Sequence, residues 1–213
     1  MTDKKDLFPC IPATIGFSLN QFRYGFVGDP RERSTIFELS ELLRDFTKSS
    51  REFGKYTSLV VFYQLPEEVK TTYSVKQFEQ LFWEQLNGLA AIDRIEWPSD
   101  IPIDAHHHMW EFCFEGERYF IYCATPAHKH RKSRQYETMM LAITPRWVFR
   151  EFYKTNPHAI KIKNMVRKRL SNYDSASIHP HLNSYGNEDN FEWKQYFLRD
   201  DYTSLSECPF QRD

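Results

Sequence analysis

The sequence predicts an α+β protein in which a mixed, largely antiparallel sheet is flanked by helices. Strand-like runs and amphipathic helical segments follow one another in the first half of the chain. A β-hairpin pattern occupies the middle, and a further strand leads into helical segments. No internal repeat, low-complexity region or obvious linker interrupts the chain, so we expect a single domain of residues 1–213.

The first two elements are a strand and a capped helix. Residues 21–27 alternate aromatic with polar residues and stop at the turn sequence of residues 28–30, which indicates a strand followed by a turn. Ser34 or Thr35 then caps a helix. Its apolar residues recur at helical spacing on one face: Ile36, Leu39, Leu42, Leu43 and Phe46.

A buried strand and a second capped helix come next. Residues 59–65 are almost continuously apolar, which is typical of a strand buried on both faces and central in a sheet. Ser74 and Gln77 have the spacing of a capping box at the start of a helix. The apolar face of that helix carries Phe78, Leu81, Phe82, Leu86 and Leu89.

The middle of the chain predicts a β-hairpin. Residues 110–114 and 118–123 are strand-like runs joined by residues 115–117, the length of a hairpin connection. A further apolar strand is expected at residues 138–144.

Three helices are expected in the last third. Pro145 opens one that continues to Phe152. Asn156 and Pro157 have the pattern of a cap and first-turn proline for a helix to Ser171. The aromatic residues of segment 190–198 indicate a short helix docked on the rest of the protein.

Composition excludes several classes of partner. Lys plus Arg number 28 against 29 Asp plus Glu, giving a net charge of -1, so we expect no nucleic acid and no anionic membrane as a partner. No window approaches the roughly 18 apolar residues of a membrane span, and no signal-peptide pattern follows Met1, which favours a soluble, cytoplasmic protein. The four cysteines form no CxxC pair, so we expect free thiols rather than disulfides or a zinc site.

Common catalytic motifs are missing. There is no GxGxxG, P-loop or GxSxG pattern, and seven glycines leave little material for a phosphate-binding loop. Cys10 or Cys208 paired with a histidine would make a thiol nucleophile, although nothing in the local sequence places a base beside either. A buried, unreactive thiol is the alternative for each.

The consecutive histidines His106, His107 and His108 suggest metal binding. Neighbouring side chains on a strand or loop point in different directions, so at most two of the three could ligate one ion. A polar loop before the hairpin explains the same residues equally well.

The basic segment of residues 125–134 offers a more specific pattern. His128 follows a predicted buried strand, and Arg131 and Arg134 lie close by in sequence. A single imidazole can ligate haem iron axially, and guanidinium groups can pair with the haem propionates. A basic surface loop that binds phosphate, or nothing, is the alternative.

Several stretches together resemble the YqcI/YcgG family, in an order and spacing that cover nearly the whole chain. They are residues 8–10, 22–27, 110–114, 116–117, 125–128, 131, 133–134, 144–146, 185–187, 192–198 and 208–210. Some members of that family are haem-dependent oxygenases that N-hydroxylate guanidino groups. The resemblance implies that this chain is a haem-dependent monooxygenase acting on a guanidino or amino group of a small, amino-acid-like substrate.

The resemblance also implies roles for particular residues. Haem b would have His128 as its axial ligand, with His130 as the alternative, and the propionates would meet Arg131, Arg134 and Arg23. Dioxygen would be the second substrate, and a redox partner would supply electrons. The substrate-binding carboxylates would be Glu111 and Glu117.

Other functions remain open at this stage. The many aromatic residues, 16% of the chain, could line the pocket of a non-enzymatic haem-binding or small-ligand-binding protein. Alternatively, the chain could be a thiol-dependent enzyme. The sequence is also compatible with a homodimer.

Overall fold

A five-stranded sheet forms the centre of the protein, whose computed structural model describes residues 7–155 and 157–212. The strand order is β1-β2-β5-β4-β3. β1 and β2 are parallel, and every other neighbouring pair is antiparallel. The strands are β1 (Phe22–Val27), β2 (Ser58–Tyr63), β3 (Phe112–Phe114), β4 (Glu117–Ala124) and β5 (Met140–Pro145). The sheet is mixed and largely antiparallel, which confirms the predicted α+β class.

Helices flank this sheet. In chain order they are α1 (Ile11–Ser18), α2 (Arg33–Ser49), α3 (Glu67–Thr72), α4 (Val75–Ile92), α5 (Arg146–Thr155), α6 (Ala159–Tyr173) and α7 (Trp193–Tyr196). Short 3-10 turns occupy Ser50–Glu52 and Lys132–Arg134. Among the described residues, no helix combines the length and apolar character that a membrane crossing requires.

Helices α2 and α4 cover one face of the sheet. Leu39 and Leu43 of α2 and Phe78, Phe82 and Leu86 of α4 are fully buried, at the helical spacing that the sequence predicted. Burial of side chains of this size stabilises the fold by roughly 1.5–3 kcal/mol each. This face holds the main core.

The start of α4 was predicted correctly and the start of α2 was not. Ser74 and Gln77 form a complete capping box. Helix α2 already begins at Arg33, so Ser34 and Thr35 lie within its first turn. The Thr35 hydroxyl donates to the carbonyl oxygen of Asp29, and this bond to the preceding turn explains the difference.

Strand β2 lies inside the sheet between β1 and β5, as its apolar run predicted. Its neighbour β1 is an edge strand and packs closely against α2. A Cβ atom at Gly25 would lie 2.5 Å from Leu42 Cδ1, so a larger residue at this position would require the Leu42 side chain to move.

The predicted hairpin is present. Its turn is formed by Glu115 (φ 51) and Gly116 (φ 72), which both adopt positive φ as a tight two-residue hairpin requires. Glu117 pairs with Phe114 and so belongs to β4 rather than to the turn.

Helix α5 lies on the other face of the sheet, against β4 and β5. Pro145 ends β5 and Arg146 begins α5 with no loop between them. Phe149 of α5 packs edge-on against Phe120 of β4, with ring centroids 5.6 Å apart.

The remaining predictions differ from the structure in their bounds. Helix α7 has four residues, and the rest of segment 190–198 is not helical, although Phe197 and Leu198 are buried. Helix α6 extends to Tyr173, and the predicted cap at Asn156 lies outside the described residues. Helices α1 and α3, which are eight and six residues long, were not predicted from the sequence.

Candidate functional site

His128 lies in the loop after β4 and is completely buried. Its Nε2 is 2.8 Å from the carbonyl oxygen of Leu198, and its Nδ1 is 2.8 Å from the hydroxyl oxygen of Thr125. Because a carbonyl oxygen only accepts, Nε2 carries the proton and Nδ1 accepts from Thr125. Burial lowers the pKa of His128 to about 4. The imidazole is therefore neutral near pH 7, and both of its nitrogens are engaged.

Arg131 is also buried, and its guanidinium is held by backbone. It donates from Nε to the carbonyl oxygen of Arg199 (2.7 Å), from Nη1 to that of Ser177 (3.0 Å) and from Nη2 to that of Asp201 (3.3 Å). These bonds replace the water that burial removes from a cation. All three nitrogens are used within the protein.

Arg134 is held in the same way. Its Nη1 donates to the carbonyl oxygens of Tyr196 (2.8 Å) and Cys123 (3.2 Å), and its Nη2 donates to that of Gln195 (2.9 Å). The guanidinium carbon also lies 4.1 Å from the centre of the Tyr122 ring, a cation–π contact.

Asp200, from the segment after α7, binds the backbone of the loop after β4. Its carboxylate accepts from the backbone N–H groups of Lys129 (2.8 Å), His130 (3.2 Å) and Arg131 (3.0 Å), an anion-binding arrangement of successive amides. We call the contact between residues 128–134 and residues 195–201 the clasp. It joins the loop after β4 to the segment around α7.

His128, Arg131 and Arg134, which were predicted to bind haem, make other contacts in this arrangement. His128 has no free nitrogen, and Arg131 and Arg134 are committed to carbonyl oxygens. Arg23 lies on β1, which β2 and β5 separate from β4, and it donates to the carbonyl oxygen of Phe22. The structure thus brings His128, Arg131 and Arg134 together and leaves Arg23 apart.

Freeing His128 Nε2 would require moving Leu198 and its neighbours. Tyr196, Phe197 and Leu198 are 0%, 4% and 3% exposed, and exposing each would cost roughly 1.5–3 kcal/mol. The axial role of His128 therefore stays a prediction, one that needs a rearranged clasp.

The alternative ligand, His130, is exposed. Its Nδ1 lies 3.5 Å from the Ser175 hydroxyl oxygen, and it borders an open surface cavity of about 310 Å³ together with Lys76 and Arg199. Its imidazole is accessible without any change in the clasp.

His106 and His107 make contacts within their own loop. His106 Nδ1 is 3.2 Å from Asp104, and His107 Nδ1 accepts from the backbone N–H of Met109. Within residues 7–155 and 157–212, no three His, Cys, Asp or Glu side chains converge as metal ligands would.

The cysteines are all free thiols, as predicted. Burial raises the pKa of Cys10, and it raises the pKa of Cys208 to about 12. Because the thiolate is the nucleophile, these raised pKa values oppose a thiol-dependent reaction at either residue.

A buried ionic cluster lies on the sheet face that α5 covers. Arg146, the first residue of α5, donates from Nε to Glu111 Oε2 at 2.5 Å and from Nη2 to Glu192 Oε1. Glu111 directly precedes β3 and Glu192 directly precedes α7. The side chains of Arg146, Glu111 and Glu192 are 7%, 0% and 3% exposed. We call these three residues the acidic cluster.

The acidic cluster holds two carboxylates and one guanidinium. Glu111 Oε1 and Glu192 Oε2 are buried without a hydrogen-bond partner. Burial raises the pKa of Glu192 to about 7; the positive charge of Arg146 opposes this rise and the negative charge of Glu111 adds to it. Two buried carboxylate oxygens of the cluster therefore lack hydrogen-bond donors, which costs free energy of folding.

Tyr185 covers this cluster from the segment between α6 and α7. The Arg146 guanidinium carbon lies 4.1 Å from the centre of its ring, and its hydroxyl donates to the carbonyl oxygen of Met109 at 3.2 Å. Burial raises the pKa of Tyr185, and the nearby Glu111 carboxylate raises it further. Gly186, which follows, adopts φ +84 and turns the chain away.

The two carboxylates predicted to bind substrate are in different places. Glu111 belongs to the acidic cluster, whereas Glu117 is the first residue of β4, where its Oε2 is 3.5 Å from Arg51. The sequence analysis did not assign Arg146, Glu192 or Tyr185 to a site. All three lie in the stretches that resemble the family, which was the available signal.

The stretches that resemble the family agree with comparisons against known protein sequences. The chain belongs to the YqcI/YcgG family, whose model matches residues 1–211. It is 49% identical to the uncharacterized protein YqcI of Bacillus subtilis (strain 168), over 99% of this chain and 83% of the relative. It is 50% identical to the uncharacterized protein YcgG of the same organism, over 98% of this chain and 82% of the relative.

A more distant relative has a name that states a reaction. The putative N(omega)-hydroxy-L-arginine synthase DcsA of Streptomyces lavendulae is 30% identical over 95% of this chain and 77% of its own length. No solved structure matches the chain.

Proposed function

We propose that this protein N-hydroxylates a guanidino or amino group of a small, amino-acid-like compound. The relative named as an arginine N-hydroxylating enzyme matches 95% of this chain, which supports the reaction type. The structural observation that carries the proposal is the acidic cluster, in which two buried carboxylates bind the guanidinium group of Arg146. Carboxylates recognise guanidinium groups through paired hydrogen bonds, and burial strengthens that recognition.

In this proposal haem b, held by His128 or His130, would supply the activation of dioxygen, with electrons from a separate redox partner. This part rests on the family resemblance, because the described arrangement commits His128, Arg131 and Arg134 to the clasp. Haem binding by His128 would need the clasp to open, whereas binding by His130 would not.

An absorption spectrum tests the cofactor. Protein purified from cells supplied with a haem precursor is compared with the His128→Ala and His130→Ala variants. We expect a Soret band in the wild type that only one variant loses, which identifies the axial ligand. A wild type without a Soret band, under conditions in which a known haem protein loads fully, would contradict haem dependence.

A product assay tests the reaction. Haem-loaded protein is incubated with ¹⁸O₂, an electron donor and candidate guanidino compounds, L-arginine first. We expect a product heavier than the substrate by one ¹⁸O atom, detected by mass spectrometry. Haem uptake without any such product would favour the alternative, a non-enzymatic haem-binding protein.

A further inference from the structure

The acidic cluster has a net charge of -1 when both carboxylates are ionised, because Glu111 and Glu192 share the single cation Arg146. Each carboxylate spends one oxygen on Arg146 and leaves the other, Glu111 Oε1 or Glu192 Oε2, without a partner. Buried carboxylate oxygens normally have hydrogen-bond donors, so two such oxygens in one cluster require an explanation.

We propose that Glu111 Oε1 and Glu192 Oε2 form a subsite for a planar organic cation, such as a guanidinium group, beneath Tyr185. Arg146 holds the two carboxylates in place and neutralises one of their two negative charges. The bound cation neutralises the other. The choice of a guanidinium as the cation rests on the proposed function. The location of the subsite rests on the two unpartnered oxygens.

The charge balance supports this assignment. With both carboxylates ionised the cluster sums to -1, and a second guanidinium brings it to zero, with every carboxylate oxygen accepting a hydrogen bond. Without a bound cation, a proton on Glu192 gives the same charge balance, in keeping with the raised pKa of Glu192. The existing contacts already show that each carboxylate can meet a guanidinium edge, since Arg146 binds one with Nε and the other with Nη2. A planar cation presents several donors in one plane, whereas an ammonium group presents three that diverge.

Access to the subsite depends on Tyr185. Glu111 and Glu192 are buried, while the Tyr185 side chain is only half-buried and lies over Arg146. Its hydroxyl donates to the carbonyl oxygen of Met109 and also interacts with the Glu111 side chain. The following residues 186–189 are exposed, so this segment can move with little loss of packing. Tyr185 is thus the group that a ligand displaces or stacks against on entry.

The cation-binding test uses the protein alone, without haem or an electron donor. Methylguanidinium is titrated into the wild type and followed by isothermal calorimetry and tryptophan fluorescence, with urea as the neutral, planar control. We expect saturable binding of methylguanidinium and none of urea. Equal responses to the two, or no saturable binding of methylguanidinium, would overturn the proposal.

Two charge-neutralising variants locate the subsite. Glu192→Gln keeps the shape of the side chain and is expected to weaken methylguanidinium binding by at least about tenfold. Glu188→Gln removes an exposed charge from the neighbouring segment and is expected to leave binding unchanged. Equal affinities in the two variants would exclude a subsite at Glu192.

Tyr185→Ala provides a second test if Glu192→Gln does not fold. This variant leaves all three charges in place and removes the cover, so the association rate of methylguanidinium should rise severalfold in stopped-flow fluorescence. An unchanged rate would show that the ligand does not enter beneath Tyr185.

The subsite and the proposed function fail in different ways. If methylguanidinium binds as described but no ¹⁸O-labelled product forms, the proposed reaction is wrong and the subsite stands. If the labelled product forms and Glu192→Gln leaves the KM for that substrate unchanged, the subsite is wrong and the reaction stands.

Discussion

His128 and Leu198 are joined by a buried hydrogen bond of 2.8 Å across 70 residues of sequence, from the imidazole Nε2 to the backbone carbonyl oxygen. This bond fixes the tautomer of His128 and the path of the chain after α7. The residue that the sequence singled out as a cofactor ligand therefore also links two distant parts of the fold.

Replacing His128 should destabilise the protein. His128→Ala removes two buried hydrogen bonds and the contact with Phe197, whose ring centroid is 5.5 Å away. We expect the free energy of unfolding, measured by urea denaturation at pH 8, to fall by about 3 kcal/mol. The exposed residue His130 gives the control: His130→Ala should change it by less than about 0.5 kcal/mol. Equal effects would contradict the structural role of His128.

The pKa of His128 predicts a pH dependence. Its folded-state pKa of about 4 lies below the ordinary value of 6.5, so the unfolded chain binds the proton more tightly. The stability that neutral His128 contributes is complete above about pH 6.5 and is lost as the pH falls toward 4. Between pH 7 and pH 5, the wild type should therefore lose more free energy of unfolding than His128→Asn. Parallel pH profiles would show that His128 keeps its ordinary pKa.

Glu192 predicts the opposite trend. Its folded-state pKa of about 7 lies above the ordinary value of 4.5, so the folded protein binds the proton more tightly than the unfolded chain does. The resulting stability is complete below about pH 4.5 and is lost as the pH rises to about 7. The free energy of unfolding of Glu192→Gln, relative to that of the wild type, should therefore increase as the pH rises across this range, by about 3 kcal/mol at most. The difference is measured by urea denaturation at pH 5 and pH 8, and a constant difference would contradict the raised pKa.

The guanidinium geometry of Arg134 should matter more than its charge. Arg134→Lys keeps a cation but cannot reach the carbonyl oxygens of Cys123, Gln195 and Tyr196 together. We expect thermal and urea denaturation to show a loss of about 2–4 kcal/mol. Arg33→Lys, at an exposed position, is the matched control. A tolerated Arg134→Lys would mean that the clasp depends on charge alone.

The thiols should react slowly in the folded protein. Because burial raises the pKa values of Cys10 and Cys208, alkylation by iodoacetamide at pH 7.5 should be at least about tenfold slower than in urea-unfolded protein. Mass spectrometry of the modified peptides gives the rate at each cysteine. Rapid modification of either residue in the folded state would revive a thiol-dependent mechanism, and Cys10→Ser and Cys208→Ser would then be expected to abolish activity.

Local features of the fold were predictable, and distant contacts were not. The hairpin and the Ser74 capping box follow from residues within a few positions of one another, and both are present. The partner of His128 lies 70 residues away, so no local pattern indicates that Leu198 takes its Nε2. Basic residues in a loop suggest side chains that face solvent or bind a ligand. Here the guanidinium groups of Arg131 and Arg134 instead donate to backbone carbonyl oxygens inside the protein.

The acidic cluster shows why only part of the site was found. Glu111 was predicted to bind substrate because of its place in the hairpin. Its partners lie far away in sequence: Arg146 is 35 residues further on, and Glu192 is 46 residues beyond Arg146. Their meeting depends on strand register: Tyr119 of β4 pairs with Phe112 of β3 and with Pro145 of β5. That alignment is a tertiary property, which residue types and spacing do not encode locally.

The clasp also sets an order of events during synthesis on the ribosome. Trp193, Tyr196 and Phe197 belong to the main core, and Arg134 lacks its acceptors on Gln195 and Tyr196 until this segment has been synthesised. A nascent chain that has not yet reached Leu198 therefore exposes apolar surface and two unsatisfied arginines. Such a chain is a natural client for chaperones, and premature termination upstream of residue 193 should yield an aggregation-prone product rather than a smaller stable protein.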